Sequence, residues 1–448
     1  MSGRLAYGSG AFGVAIVYQT LGMVLIYYYT NVVGLTAAQA GTIVFLSTIW
    51  DGVADPLIAW AASRTRSRHG QYRPWLLYAS GPAGLMFVVM FWHPDWPVGA
   101  LFGYTFATSM IFRSLFQAVY LPYTALIGQI TADANERARL AGWKGWFTSI
   151  AQLATAVFAL GIVDWFGRGD DRQGFLAMAA IFGALVSGAL FVAGYLTHEL
   201  GAGSIRPNRD VKNPREGLRL ILTNRPVCRL LGASVCFGSA YALFSNLTIY
   251  LFQYDLHSRS DSRWAFGALA AAGLIAAPFW SMVAVRRGKR FVWLAGVGCT
   301  LLALLALWLV APHTTRSILP FYALFGFGTQ PLIIMQFAAL ADAVDFGEWR
   351  SGARVSAFSF GMLTFANKAA LAVGGGAAGA LLSWVGFMPQ ASPSANMLGE
   401  LRSGMLLLPA ALFALSAWIM FYFEVTTKVH QEARAAIEHR MEDSDVTI

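Results

Sequence analysis

A series of apolar runs, each long enough to cross a lipid bilayer as a helix, constrains this chain more than any other feature. The runs fall at residues 8–31, 38–62, 74–93, 98–129, 139–165 and 174–197, then at 227–254, 264–285, 290–311, 317–345, 354–385 and 403–424. A hydrocarbon core of about 30 Å takes roughly 20 helical residues, whereas membrane-barrel strands give alternating segments of about ten. A charged fraction of 12% against a hydrophobic fraction of 57% excludes a water-soluble fold, in which about a quarter of the residues are charged. The chain reads as an all-α membrane protein of twelve transmembrane helices.

The runs divide six and six. Residues 198–226 are polar, carry Arg206, Arg209, Lys212, Arg215, Arg219 and Arg225 between prolines, and read as a cytoplasmic connector. It joins an N-terminal bundle, 1–197, to a C-terminal bundle, 227–424. Alternate loops differ sharply in basic residues. One side holds Arg4, Arg64, Arg66, Arg68, Arg73, Arg137, Arg139, the connector, Arg286, Arg287, Lys289, Arg290, Arg350 and Arg354; the other holds Arg168, Arg172, Arg259, Arg263, Arg316 and Arg402. Both termini are therefore expected in the cytoplasm of a bacterial-type inner membrane. Topology accounts for the net charge of +9, so a nucleic-acid partner is set aside. No small-residue cleavage motif follows the opening run through Tyr27-Tyr28-Tyr29, which reads as a retained helix. Residues 425–448 set Lys428, His430, Glu432, Arg434, Glu438 and Arg440 against Val429, Ala433, Ile437 and Met441, the spacing of an amphipathic, solvated tail helix.

An internal repeat supports the division. Arg68-His69-Gly70 with Trp75 recurs as Arg286-Arg287-Gly288 with Trp293, at the same offset and after the second helix of each half. Duplicated halves related by an axis along the membrane normal give such a pattern.

Charges inside a span cost several kcal/mol, so each marks a functional candidate. In the second helix Asp51 and Asp55 stand one turn apart on one face. Counted from Arg64 they lie roughly 20 and 13 Å from the boundary, close to mid-membrane. Two such carboxylates repel each other, so one must be protonated, paired or closed on a cation, which links occupancy to charge state. Their counterparts in the eighth helix are Leu269 and Gly273, so the machinery is asymmetric. Lys368 lies about 21 Å deep in the eleventh helix, beyond snorkelling, and is expected to pair with Asp55 or Asp51 or with an acidic group of the substrate. Lys144, a turn and a half inside the fifth helix, serves either snorkelling or gating. Arg113 in the fourth helix is deeper, with its role open. Gln117, Tyr120, Tyr123 and Thr124 around Pro122, with Tyr18 and Gln19 of the first helix, are groups that orient a polyhydroxylated or amphiphilic solute.

All seven histidines fall in loops, span ends or the tail, and Cys228, Cys236 and Cys299 lack metal-ligand spacing. Histidine relays, metal catalysis, a disulfide framework and enzymatic activity have no support; the cysteines read as small hydrophobes.

The residues also carry a family resemblance. Tyr7-Gly8-Ser9-Gly10-Ala11-Phe12-Gly13, Tyr27-Tyr28-Tyr29-Thr30, Trp50-Asp51 with Asp55-Pro56, and Arg66-Ser67-Arg68 through Gly70 to Arg73-Pro74-Trp75 resemble the glycoside-pentoside-hexuronide:cation symporters, the family of melibiose permease. Pro122-Tyr123, Glu136-Arg137, Asp342, Asp345, Gly352, Arg354, and Thr364 with Lys368 follow in the order and spacing of that family. The resemblance implies a major facilitator fold of two six-helix bundles working by alternating access. It implies Asp51 and Asp55 as cation-site acids, Thr364 and Lys368 as eleventh-helix site residues, and H+ or Na+ as the coupling ion. It also shows departures. The sugar-binding acids of melibiose permease fall at Ala15 and Tyr120, its tryptophan at Thr124, and its fifth-helix arginine at Gly145 beside Lys144. These point away from a galactoside. Two sodium-holding residues correspond to Ala54 and Gln117, which removes oxygen ligands and favours the proton. The expected activity is cation-coupled symport of a sugar- or glycoside-like solute by a functional monomer. The alternatives are a carrier of amphiphiles such as lysolipids and a non-transporting assembly or sensing protein of the same fold.

Overall fold

A computed structural model describes residues 2–130, 134–198, 214–312, 314–353, 355–388, 394–426, 428–433 and 435–436. The first six long helices are α1 (Ser2–Tyr27), α2 (Ala37–Arg64), α3 (Arg73–Met90), α4 (Val98–Ile130), α5 (Ala134–Gly167) and α6 (Asp171–Leu196). A short helix, α7 (Pro214–Thr223), precedes α8 (Arg225–Tyr250), α9 (Ser262–Arg287), α10 (Lys289–Val310), α11 (Thr315–Ser351), α12 (Ser356–Trp384) and α13 (Ala395–Phe421). Each apolar run thus becomes one long helix. Among the described residues, ten helices are long and apolar enough to cross a membrane. The remaining two long ones are α2, which carries Asp51 and Asp55, and α3, the shortest at 18 residues. Connector residues 199–213 and tail residues 427, 434 and 437–448 lie outside the described residues.

Local chemistry sets the helix ends. Thr36 caps α2, its hydroxyl accepting from Gln39 N at 3.2 Å while the Gln39 amide oxygen accepts from Thr36 N at 3.0 Å. Asp170 caps α6 through Arg172 N at 2.9 Å. Gly352 closes α11 at φ 71°, a left-handed cap that favours glycine.

The two halves share devices that the sequence only hints at. α1 and α8 each run for 26 residues and then widen into a five-residue π-helical turn, Tyr28–Val32 and Leu251–Asp255. Both repeat glycines take positive φ, 99° at Gly70 and 82° at Gly288. The repeat tryptophans differ in partner: Trp75 donates to Thr65 Oγ1 at 3.0 Å and buried Trp293 to Ser416 Oγ of α13 at 3.2 Å. Small residues allow close helix contact in each half. A Cβ on Gly84 of α3 would lie 2.5 Å from the Gly183 carbonyl oxygen of α6, and one on Gly296 of α10 would lie 2.7 Å from that of Gly328 in α11. Cys228, Cys236 and Cys299 are free thiols of intermediate burial.

The chain forms two compact units that cut across the six-helix halves. The first comprises Met1–Arg206, Ser245–Ala270 and Gly375–Arg402; the second comprises Pro207–Phe244, Ala271–Gly374 and Ser403–Ile448. Helices α8, α9, α12 and α13 therefore contribute to both.

Candidate cation and solute site

The site in the first unit grows from two packed helices. On α4, Arg113, Gln117, Tyr120 and Thr124 follow at spacings that place them on one face. On α2, Asp51 and Asp55 share the face that the i, i+4 spacing dictates. The helices pack together, and Trp50 Nε1 donates to Ser114 Oγ at 2.8 Å. Where the two faces meet, Arg113 Nη1 donates to Asp51 Oδ2 at 2.6 Å; the side chains are only 12% and 3% exposed. Arg113, whose role the sequence leaves open, is thus the observed partner of the deeper acid.

The rest of the site is aromatic and amide. Tyr18 of α1 meets Phe116 and Tyr120 edge to face, both at 5.6 Å between ring centroids, and lies within electrostatic reach of Asp51 and Arg113. Asp55 is half-buried and faces Tyr120 electrostatically. Asp51 Oδ1 and Gln117 Oε1 are buried without a hydrogen-bond partner. A buried acceptor left unmatched costs about 1–3 kcal/mol. These oxygens are chemically suited to a proton carried as a carboxyl O–H, or to a small cation. Among the described residues no group of three or more His, Cys, Asp or Glu is arranged to hold a metal ion.

The other residues singled out from the sequence are placed as follows. Gln19 is half-buried on α1. Lys144 on α5 sits over the Tyr123 ring at 5.9 Å, and Tyr123 stacks on Tyr7 at 4.9 Å while donating to the Tyr7 carbonyl at 2.8 Å. Thr124 and Thr364 each spend their hydroxyl proton on their own helix, on the Leu121 and Phe360 carbonyls at 2.8 and 3.0 Å. Lys368 is buried on α12, one turn beyond Thr364, in the second unit.

Two charge clusters escaped the sequence reading. At the end of the first unit remote from Arg64, Arg259 Nη2 donates to Asp164 Oδ1 of α5 at 2.8 Å and Nη1 to Asp171 Oδ2 of α6, with its guanidinium 5.7 Å from the centroid of the Tyr27 ring. Nearby, Tyr254 donates to Asn31 Oδ1, Tyr250 and Thr30 share a 2.6 Å hydrogen bond, and Arg402 reaches Asp255 at 3.3 Å. Backbones also meet there, since a Cβ on Gly379 of α12 would lie 2.7 Å from Gly41 Cα of α2. In the second unit Lys289 pairs with Asp342 at 2.6 Å, and His430 Nε2 lies 3.0 Å from Asp345 Oδ2 and 3.5 Å from Asp342 Oδ1. Tail residues 428–433 are helical with Ala433 buried, so this part of the tail docks through its histidine instead of standing free in solvent. Both clusters were hidden because they join residues distant in sequence, each of which alone reads as a solvated end charge.

Comparison with known proteins gives the same class. Residues 6–427 match the MFS/sugar transport protein family. The chain is 29% identical to the candidate glycoside/cation symporter YagG of Escherichia coli K12, over 98% of this chain and 95% of the relative. It is 24% identical to the isoprimeverose transporter of Lactiplantibacillus pentosus, over 98% and 91%. It is 26% identical to the inner membrane symporter YicJ of Escherichia coli K12, over 95% and 92%. Among solved structures, a variant of the nucleoside transporter NupG superposes with a TM-score of 0.67 at 11% identity, covering 94% of this chain and all 100% of that one. A D-xylose-proton symporter superposes with a TM-score of 0.65 at 14% identity, covering 96% and 97%. The fold is that of the major facilitators.

Proposed function

This chain belongs to the MFS/sugar transport protein family, and from that premise we propose that it is a cation-coupled symporter of a sugar- or glycoside-like solute, with Asp55 as the carboxylate that takes up and releases the coupling charge. The observation that carries the reading is the unequal state of the two acids. Asp51 holds a buried guanidinium at 2.6 Å, while Asp55, one turn away, faces the phenol of Tyr120 on the aromatic wall. Asp51 is committed to the guanidinium, so the reading assigns exchange of the coupling charge to Asp55. The coupling ion in this reading is the proton, because the guanidinium already occupies Asp51 Oδ2 and Ala54 brings no side-chain oxygen for sodium.

The aromatic wall of Tyr18, Phe116 and Tyr120 offers stacking surface to a pyranose ring, and Gln117 and Gln19 offer amides to its hydroxyls. Lys144, Thr124, Thr364 and Lys368 are assigned to solute recognition, with Lys368 the cation suited to an acidic group of the solute. The end sealed by Arg259 is the one that the basic-loop count sets away from the cytoplasm, so it supports alternating access in a state closed on the outside. The two six-helix halves, with termini in the cytoplasm, are the proposed moving parts, and the monomer the proposed working unit.

The test is transport by reconstituted vesicles. Asp55→Asn is expected to abolish accumulation under an imposed gradient while retaining solute exchange, because an amide cannot gain and lose the coupling charge. Wild-type accumulation ratios in that variant would refute the assignment.

A further inference from the structure

We propose that Arg113 is a built-in counter-ion that occupies the cation position at Asp51, so that this one side chain excludes sodium and leaves the carrier to the proton. The inference rests on the reading of Asp51 and Asp55 as the family's cation site and adds the residue that sets ion selectivity there.

The geometry is specific. A coupling cation between the two acids of α2 would have to approach Asp51, but Asp51 Oδ2 already accepts from Arg113 Nη1 at 2.6 Å, with both side chains almost wholly enclosed. Other acids of the first unit serve other arginines: Asp95 pairs with Arg172, and Asp164 and Asp171 pair with Arg259. A guanidinium does not lose its proton in proteins, so the positive charge it brings to Asp51 is fixed. A sodium ion about 4 Å from that charge, at an effective dielectric near ~20, would bind roughly a thousandfold more weakly than at the bare acid. A proton avoids the conflict, because it enters a carboxyl lone pair and cancels the charge instead of adding a second free cation. The oxygen inventory points the same way. Asp51 Oδ1 and Gln117 Oε1 stay buried without hydrogen-bond partners, so once the guanidinium is removed they and Oδ2 form an anionic oxygen cluster open to a hard cation.

The prediction is a gain of function. Wild-type protein, Arg113→Ala, Arg113→Gln and Arg113→Lys are purified and melted without solute in NaCl and in choline chloride of equal concentration. Wild type and Arg113→Lys, which keep the charge, are expected to melt at the same temperature in both salts. Arg113→Ala and Arg113→Gln are expected to melt at least ~2 °C higher in NaCl, with the rise saturating as sodium increases. If the neutral variants do not survive purification in choline, they are prepared throughout in NaCl; recovery there supports the counter-ion role and failure there overturns it. A saturable sodium rise in wild type, an equal rise in Arg113→Lys, or folded neutral variants blind to sodium each overturn it as well. Because this readout uses no solute and no gradient, it stands or falls separately from the vesicle test of Asp55.

Discussion

Two arginines in the first unit solve the same problem in opposite settings. Arg113 meets a single carboxylate between two long helices, where the partners are 12% and 3% exposed. Arg259 meets two carboxylates and a tyrosine face at the helix ends, where Asp164 and Asp171 are 34% and 38% exposed. Water shares the cost of charge in the second case and hardly at all in the first. Breaking a buried pair strands an ion and costs about 3–5 kcal/mol, while a solvated pair contributes about 0–1 kcal/mol. Holding helices together does not require the expensive arrangement, and the Arg259 network ties α1, α5 and α6 without it. An ion pair placed mid-helix beside a second acid fits the counter-ion role proposed for Arg113.

The comparison breaks most visibly at Arg113. In sodium-free medium Arg113→Ala is expected to lose about 3–5 kcal/mol of stability, because Asp51 is left ionised and enclosed. The double variant Arg113→Ala/Asp51→Asn should recover most of that loss, since it removes the stranded charge as well. Thermal melting of the two single variants and the double closes the cycle. Simple addition of the two single effects would show that the pair is not coupled.

A smaller effect is expected from Arg259→Gln, about 1–2 kcal/mol for two partly solvated carboxylate bonds. Its larger consequence is conformational, because the same side chain ties α5, α6 and the Tyr27 end of α1. With the native cysteines replaced by serine and Asn31→Cys as reporter, Arg259→Gln should speed labelling by a membrane-impermeant maleimide several-fold. Asp164→Asn or Asp171→Asn alone should do less, since the arginine keeps its other carboxylate. Unchanged labelling in all three variants would remove the sealing role.

The long helices were legible because hydrophobicity over about 20 residues is a property of single segments. Their exact composition was less so: α7 lies in a stretch that reads as a polar connector, yet Pro214–Thr223 folds as a helix with Leu218, Ile221 and Leu222 among its charges. Asp51 and Asp55 were legible as a pair because i, i+4 geometry is local. The identity of the partner was not, because pairing Asp51 with Arg113 requires knowing that α2 packs on α4 and in what rotation. The available signal was the shared face of Arg113, Gln117, Tyr120 and Thr124, which turns one helix side into a polar stripe. The Arg259 and His430 clusters left no such signal, since each joins elements dozens of residues apart through charges that are ordinary at helix ends.

The smallest expected effect lies in the second unit and sets the lower bound of the comparison. His430 Nε2 reaches Asp345 at 3.0 Å and Asp342 at 3.5 Å, but Lys289 already neutralises Asp342 at 2.6 Å. The histidine and Asp345 are each 20% exposed, and the buried Asp342 keeps Lys289, so His430→Ala strands no enclosed ion. It removes one polar anchor of the tail while Phe423, Val425 and Ala433 stay buried. The expected loss is below about 1 kcal/mol in global stability, the range of a partly solvated hydrogen bond. The local readout is faster proteolysis of residues 428–436, because the segment opens without the rest of the fold. Lys289→Ala should cost more than His430→Ala, as it leaves Asp342 with only the histidine. If His430→Ala proved as damaging as Arg113→Ala, exposure to water would not be what separates these charge pairs, and the special standing of Arg113 beside the second-helix acids would fall with it.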